Sequence, residues 1–208
     1  MTTSCKVVVV GDSGVGKTCL MARYLNNKFD NNTITTACPT FATKQLFFND
    51  INKKINLDIW DKAGQELYKS ISKLFYKGAS IGILVYDITN INSFNSLKDY
   101  WYNELKINGD QNIIFNVVGN KVDLYEIEQI KEEDAKSFAD SINAGFYLTS
   151  AKSNVNIDDL FIESGRKYIE PNYQRKRFDH NINTENTNER KLSKNKIAKK
   201  SKKESECC

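Results

Sequence analysis

In 208 residues there are a single histidine and two prolines, and no apolar run of the ~20 residues that a bilayer-spanning helix needs. The histidine, His180, lies in a polar stretch, so catalysis built on histidine is excluded. The five cysteines are an odd number, and Cys5, Cys19 and Cys38 have no paired metal-ligand spacing. A disulfide framework and a zinc site are therefore not expected, and these three read as small buried or half-buried residues. The apolar segment Ile81–Tyr86 is far too short to cross a membrane. Near the N-terminus, one lysine followed by Val7–Val10 makes a strand-sized run rather than a secretory core. The expectation is a chain made and kept in the cytosol.

About two-fifths of the residues are hydrophobic, enough for one domain with a sizeable core. The formal charge of +4 is unevenly spread: from Arg175 to Cys208 eleven Lys/Arg face five Asp/Glu, a surplus of six that leaves −2 for the preceding residues. Basicity belongs to the tail, and no nucleic-acid partner is expected for the globular part. After Pro171 the apolar periodicity stops and Asn, Lys, Glu and Ser take over, the composition of a disordered segment. The division is thus a domain over residues 4–171 and a basic tail over 172–208 that ends in Cys207-Cys208.

Within the domain, Cys5–Val10 is continuously apolar and β-branched, as in a strand covered on both faces. It runs into a Gly-rich segment, after which Leu20, Tyr24 and Leu25 have helical spacing. Two extended segments come next, Thr43–Phe48 and Lys54–Trp60, with turn residues Asn49, Asp50 and Asn52 between them, which predicts a hairpin. Further strands are expected at Ser80–Tyr86, Ile113–Val118 and Phe146–Leu148. Helices are expected at Glu66–Lys77, Ser93–Ile107, Glu132–Ile142 and Ile157–Glu170. Such alternation predicts an α/β fold with a six-stranded, mostly parallel sheet flanked by helices. Ligands of open α/β sheets bind at the carboxyl ends of the strands.

Four short motifs fall at such ends. Gly11-Asp12-Ser13-Gly14-Val15-Gly16-Lys17-Thr18 fits G-x-x-x-x-G-K-[ST] between a strand and a helix. Its glycines let backbone N–H groups curl around phosphate oxygens, Lys17 reaches the β/γ-phosphates and Thr18 binds Mg²⁺. Alone, this loop does not distinguish ATP from GTP. Asn120-Lys121-Val122-Asp123 makes the distinction, because a carboxylate accepts from guanine N1–H and its 2-amino group, and adenine offers neither donor. Asp61-Lys62-Ala63-Gly64-Gln65 puts Asp61 near the Mg²⁺ shell, Gly64 N–H at the γ-phosphate and Gln65 where it orients the attacking water. In Ser150-Ala151-Lys152, the Ala151 N–H reaches guanine O6.

In this order and context the four motifs resemble the Ras superfamily of small GTPases, with the P-loop GTPase fold, over about Cys5–Glu170. Tyr86-Asp87-Ile88-Thr89, Asn92-Ser93-Phe94, the stretch Tyr68–Ala79 and the terminal Cys-Cys resemble its Rab branch. The resemblance implies a GTP-binding and GTP-hydrolysing switch that cycles between GTP and GDP with Mg²⁺ and regulates vesicle trafficking. Cys19 joins the loop residues around the nucleotide, Phe29 packs on the guanine, and Thr36 completes the metal set with Thr18 and Asp61. By spacing, Thr35 and Thr40 remain rivals to Thr36. Gln65 and Lys17 become the catalytic residues, and Cys207 and Cys208 the sites of prenylation.

Implied partners are an exchange factor, a GTPase-activating protein, an escort or GDP-dissociation inhibitor for the prenylated form, and effectors. The protein is expected to be a monomer. The expected location is the cytoplasmic face of an intracellular membrane, cycling with cytosol, endosomes being preferred. No arginine finger is evident, so intrinsic hydrolysis is expected to be slow. Phe41, Trp60 and Phe75 read equally as an effector-gripping aromatic patch or as core.

Two features depart from the Rab pattern. The segment after Thr36 reads Ala37-Cys38-Pro39-Thr40-Phe41, where proline fixes φ and removes a donor, and Lys62 puts a cation beside the nucleotide. They leave open a membrane scaffold that holds GTP with little hydrolysis. An ATP-using P-loop enzyme is the other rival, one with no use for Asn120-Lys121-Val122-Asp123.

Overall fold

A computed structural model describes residues 3–30, 40–61 and 75–173. All of them belong to the first of two units into which the chain divides, Met1–Tyr173. Six strands, β1 (Thr3–Val10), β2 (Thr40–Phe48), β3 (Lys53–Asp61), β4 (Ala79–Asp87), β5 (Ile114–Asn120) and β6 (Gly145–Leu148), form one sheet in the order β2-β3-β1-β4-β5-β6. Only β2 runs antiparallel, paired with β3 as a hairpin from Thr40↔Asp61 to Phe48↔Lys53. The remaining neighbours are parallel; this is the six-stranded, mostly parallel sheet expected from the alternation, and it fits the P-loop GTPase fold that the resemblance implies.

The helices are α1 (Lys17–Asn26), α2 (Ile91–Ser96), α3 (Tyr102–Asn108), α4 (Glu132–Ser141) and α5 (Ile157–Ile169), and two short 3₁₀ turns cover Asn49–Ile51 and Val122–Ile127. A β-strand alternates its side chains between two faces, and β1 shows what that does when both faces are covered. Val7 and Val9 join Leu20, Tyr24, Leu57, Leu160 and Phe161 in one core, under α1 and α5. Val8 and Val10 join Leu84, Phe94, Leu97, Trp101 and Ala135 in a second core on the opposite face. Tyr24 and Phe161 stack with ring centroids 3.9 Å apart and so fasten α1 to α5. Edge strand β2 instead alternates, with its outward residues exposed.

The helix expected over Ser93–Ile107 starts earlier, at Ile91, and is interrupted by a π-helical segment, Leu97–Trp101. Trp101, the last residue of that segment, is buried at 1% exposure. Asn90 caps α2, its side chain accepting from the N–H groups of Asn92 and Ser93. The helix expected over Glu66–Lys77 lies largely outside the described residues; Phe75 and Tyr76, near its end, are helical.

The chain leaves β1 for β3 on one side and β4 on the other, so the sheet order reverses beside the carboxyl end of β1. That crevice is where open α/β sheets take their ligands, and the Gly-rich loop opens into it.

Candidate nucleotide site

Gly11 comes directly after β1 with φ 144°, and a Cβ there would lie 2.1 Å from the carbonyl oxygen of Val85. Gly16, at φ 95°, caps α1, and a Cβ on it would lie 2.3 Å from Nδ2 of Asn120. Both positions combine positive φ with close approach of another strand's end, so only glycine serves. Lys17 is buried at 5% exposure, and its Nζ donates to the carbonyls of Gly11 at 2.9 Å and Asp12 at 2.8 Å. The amine is thereby folded back across the loop at the N-terminus of α1, where a phosphate would find both its charge and the helix dipole. Asp12 is fixed from outside by the Trp101 indole N–H, which donates to its Oδ1 at 2.7 Å.

Asp61 ends β3 and is fully buried. Its Oδ2 accepts from Thr18 Oγ1 at 2.5 Å, and its Oδ1 has no hydrogen-bond partner among the described residues. Burial pushes its carboxyl above the usual range, while the Thr18 hydrogen bond and the Lys17 charge pull the other way. A buried carboxylate with a spare oxygen beside a threonine hydroxyl suits Mg²⁺. That ion binds one or two protein oxygens and completes its shell with phosphate and water. No cluster of three or more His, Cys, Asp or Glu able to hold a metal occurs among the described residues, and a phosphate-sharing Mg²⁺ needs none.

The residues expected to read the base lie at or just after the end of β5 and after β6. Asn120, 1% exposed, donates from Nδ2 to the carbonyl of Val15 at 2.9 Å and so ties this segment to the phosphate loop. Lys121 adopts φ 68° and pairs with Asp87 at 2.6 Å. Asp123 Oδ1 accepts from Ser150 Oγ at 2.5 Å. Val122 N–H donates to the Thr149 carbonyl at 3.1 Å. Ser150 and Val155 exchange backbone hydrogen bonds, closing the loop that carries Ala151 and Lys152. Phe29 is half-buried against the α1/α5 core.

The structure thus brings together Gly11–Thr18, Asp61, Asn120, Lys121, Asp123 and Ser150–Lys152 along one edge of the sheet, with half-buried Cys19 next on α1. Thr36, Gly64, Gln65, Lys62, Pro39, Cys207 and Cys208 lie outside the described residues. Of the two rivals to Thr36, Thr35 also lies outside the described residues, and Thr40 is the first residue of β2, exposed and in register with Asp61. Phe41 is 54% exposed, with its ring 4.8 Å from that of half-buried Trp60, which stands 6.0 Å from Phe75. The three therefore form a surface-reaching aromatic strip with its foot in the core.

The contacts of Asp87 with Lys121, of Trp101 with Asp12 and of Arg23 with Ala151 do not stand out in the sequence, because each joins residues far apart along the chain. Cys5 is buried and Cys19 half-buried, as read from the sequence, and burial chiefly pushes the Cys5 thiol up to about 12. A cavity of about 690 Å³ opens among Thr3, Phe47, Lys53, Lys54, Tyr168 and Ile169. It lies at the starts of β1 and β3, the opposite end from the motif residues, and none of them lines it.

A Gly-rich loop at a helix N-terminus, a buried carboxylate beside a threonine hydroxyl and a second carboxylate, Asp123, along one edge of a six-stranded, mostly parallel sheet make the arrangement of a P-loop GTPase. The Ras family model matches residues 6–170. Ras-related protein Rab-22A of Homo sapiens is 42% identical over 163 residues, covering 78% of this chain and 82% of that protein. Ras-related protein Rab-21 of Bos taurus is 43% identical over 169 residues, with 81% and 75% covered. For Ras-related protein RabJ of Dictyostelium discoideum the identity is 43% over 164 residues, with 79% and 63% covered.

The chain belongs to the Ras family, in its Rab branch. It is a Rab-like small GTPase of vesicle trafficking, a guanine-nucleotide-binding protein with the GTPase activity of that family. The rival reading as an ATP-using P-loop enzyme falls with that membership, and the weakly hydrolysing scaffold gains no support from it. No helix among the described residues is long and apolar enough to cross a membrane.

Proposed function

We propose that the chain is a membrane-tethered switch, its domain spanning residues 4–171, that binds GTP across Gly11–Cys19, Phe29, Asn120, Lys121, Asp123 and Ser150–Lys152 and hydrolyses it. The observation that supports this reading most is the Asn120-to-Val15 hydrogen bond of 2.9 Å. It joins the base-reading loop to the phosphate loop across 105 residues of sequence, so both ends of one nucleotide are gripped by one rigid unit.

Lys17 exchanges the Gly11 and Asp12 carbonyls for phosphate oxygens and stabilises charge as the γ-phosphoryl departs. Gln65 orients the attacking water, whose oxygen forms the new bond to phosphorus as the bond to the β-phosphate oxygen breaks. Thr18, Thr36 and Asp61 would hold Mg²⁺, which supplies neutralisation of phosphate charge. With GTP bound, Thr36 and Gly64 contact the γ-phosphate, and hydrolysis removes both contacts. No intrinsic arginine finger is assigned, so turnover is slow and depends on an activating protein. Exchange factor, escort and effectors complete the cycle. Prenyl groups on Cys207 and Cys208, at the end of the basic tail over 172–208, tether the protein to the cytoplasmic face of an intracellular membrane. An endosomal membrane is preferred on the similarity of Tyr68–Ala79.

Single-turnover hydrolysis of preloaded GTP tests the assignment. Gln65→Leu leaves GTP affinity within about threefold of wild type and slows hydrolysis at least about tenfold, because the side chain acts on the transition state and adds little to ground-state binding. An unchanged rate, with and without an activating protein, contradicts it.

A further inference from the structure

Arg23 sits on the last turns of α1, six residues beyond Lys17, where a helical arginine reads as a solvent-facing cation. Its guanidinium instead works inward. Nε donates to the Ala151 carbonyl at 2.8 Å and Nη2 to the Lys152 carbonyl at 3.1 Å. Nη1 donates to the Asn27 carbonyl at 3.0 Å and to Asn27 Oδ1 at 3.3 Å. The guanidinium carbon also stands 5.9 Å from the centroid of the Phe29 ring. Asn27 is the left-handed C-cap of α1, with φ 53°, and the chain turns there toward Phe29.

One planar fork thus spans the end of α1, the ring of Phe29 and a loop 128 residues away. The consequence for Ala151–Lys152 is geometric. A trans peptide is planar with its C=O and N–H opposed, so the pinned carbonyls fix the Ala151–Lys152 and Lys152–Ser153 planes, and the Ala151 N–H, in the preceding plane, is held through the Ala151 Cα that it shares with them. Lysine cannot substitute, because a single ammonium has no three separated nitrogens to occupy three directions at once.

We propose that Arg23 is a positioning residue for guanine: it holds Ala151–Lys152 and Phe29 in the arrangement the base requires, and sets how long the nucleotide stays bound. This rests on the guanine-site reading above, with Ala151 N–H at O6. Arg23 itself touches no nucleotide atom in this scheme; the larger part of its effect travels through O6 recognition and the smaller part through the ring that covers the base.

The test measures GDP dissociation and equilibrium affinity for wild type, Arg23→Gln and Arg23→Lys, with thermal melts alongside. Three further ligands are ADP, inosine diphosphate, which keeps O6 but lacks the 2-amino group, and 6-thio-GDP, which keeps both donors to Asp123 but replaces O6 by a weaker acceptor. Arg23→Gln releases GDP roughly tenfold or more faster, since hydrogen bonds from a charged donor are the strong ones. Arg23→Lys is intermediate, and it gives the reading if the glutamine variant does not fold. The penalty is undiminished on inosine diphosphate and at least about threefold smaller on 6-thio-GDP, the signature of action through O6.

An equal penalty on GDP, inosine diphosphate and 6-thio-GDP makes Arg23 a general brace and overturns the proposal, as does GDP release at the wild-type rate. Wild type that fails to prefer GDP over ADP sinks the guanine-site reading itself, a separate outcome from either of these.

Discussion

Gly16 shows how a single position serves both ends of the site. A Cβ there meets Nδ2 of Asn120 at 2.3 Å, and Asn120 cannot swing aside because it is 1% exposed and bonded to the Val15 carbonyl. Positive φ adds about 1–2 kcal/mol for any residue with a Cβ. Gly16→Ala therefore breaks the tie between phosphate loop and base loop. GDP affinity falls at least about tenfold, and the melting temperature drops by several degrees at roughly 2–4 °C per kcal/mol. Isothermal titration and a melt check both, and a variant with wild-type affinity would contradict the lock between the two loops.

At the scale of elements, most of the architecture was legible because the signals were local. Val7–Val10 announced a doubly covered strand, Asn49, Asp50 and Asn52 announced the β2–β3 turn, and Gly11–Thr18 announced a loop between strand and helix. All three stand in the structure. The π-helical segment Leu97–Trp101 was not legible, since an interruption of this kind leaves the apolar spacing of Phe94, Leu97, Trp101 and Leu105 compatible with a plain helix. Nothing local said that Trp101 would reach Asp12 across 89 residues. The same holds for Lys121 with Asp87 and for Arg23 with Ala151. Motifs name the side chains that face a ligand, whereas the residues that aim them are chosen by tertiary packing. The relative exposure of Phe41, Trp60 and Phe75 was likewise a matter of where the edge strand β2 lies, which composition does not encode.

For the whole molecule, the proposed function joins a nucleotide-dependent domain to a lipid-dependent address on Cys207 and Cys208. A single lipid chain at ~0.8 kcal/mol per buried CH₂ holds a protein only reversibly, and two hold it stably. Tail lysines such as Lys199, Lys200, Lys202 and Lys203 add up to ~1 kcal/mol each near an anionic leaflet, and Glu204 and Glu206 reduce that. Replacing Cys207 and Cys208 together by Ser is expected to move the protein from the membrane fraction to the cytosol in prenylating cells, with GDP affinity unaltered. A membrane fraction unchanged in the double variant would sink the anchoring assignment. The central claim, that this domain selects guanine through Asp123, is tested most directly by competition of GTP, XTP and ATP for purified wild type and Asp123→Asn. The expected wild type takes GTP far ahead of XTP and ATP. The expected variant loses GTP affinity by orders of magnitude and gains preference for XTP, because the amide donates to the carbonyl xanthine carries in place of the 2-amino group. A variant that still prefers GTP to XTP as wild type does would contradict the claim.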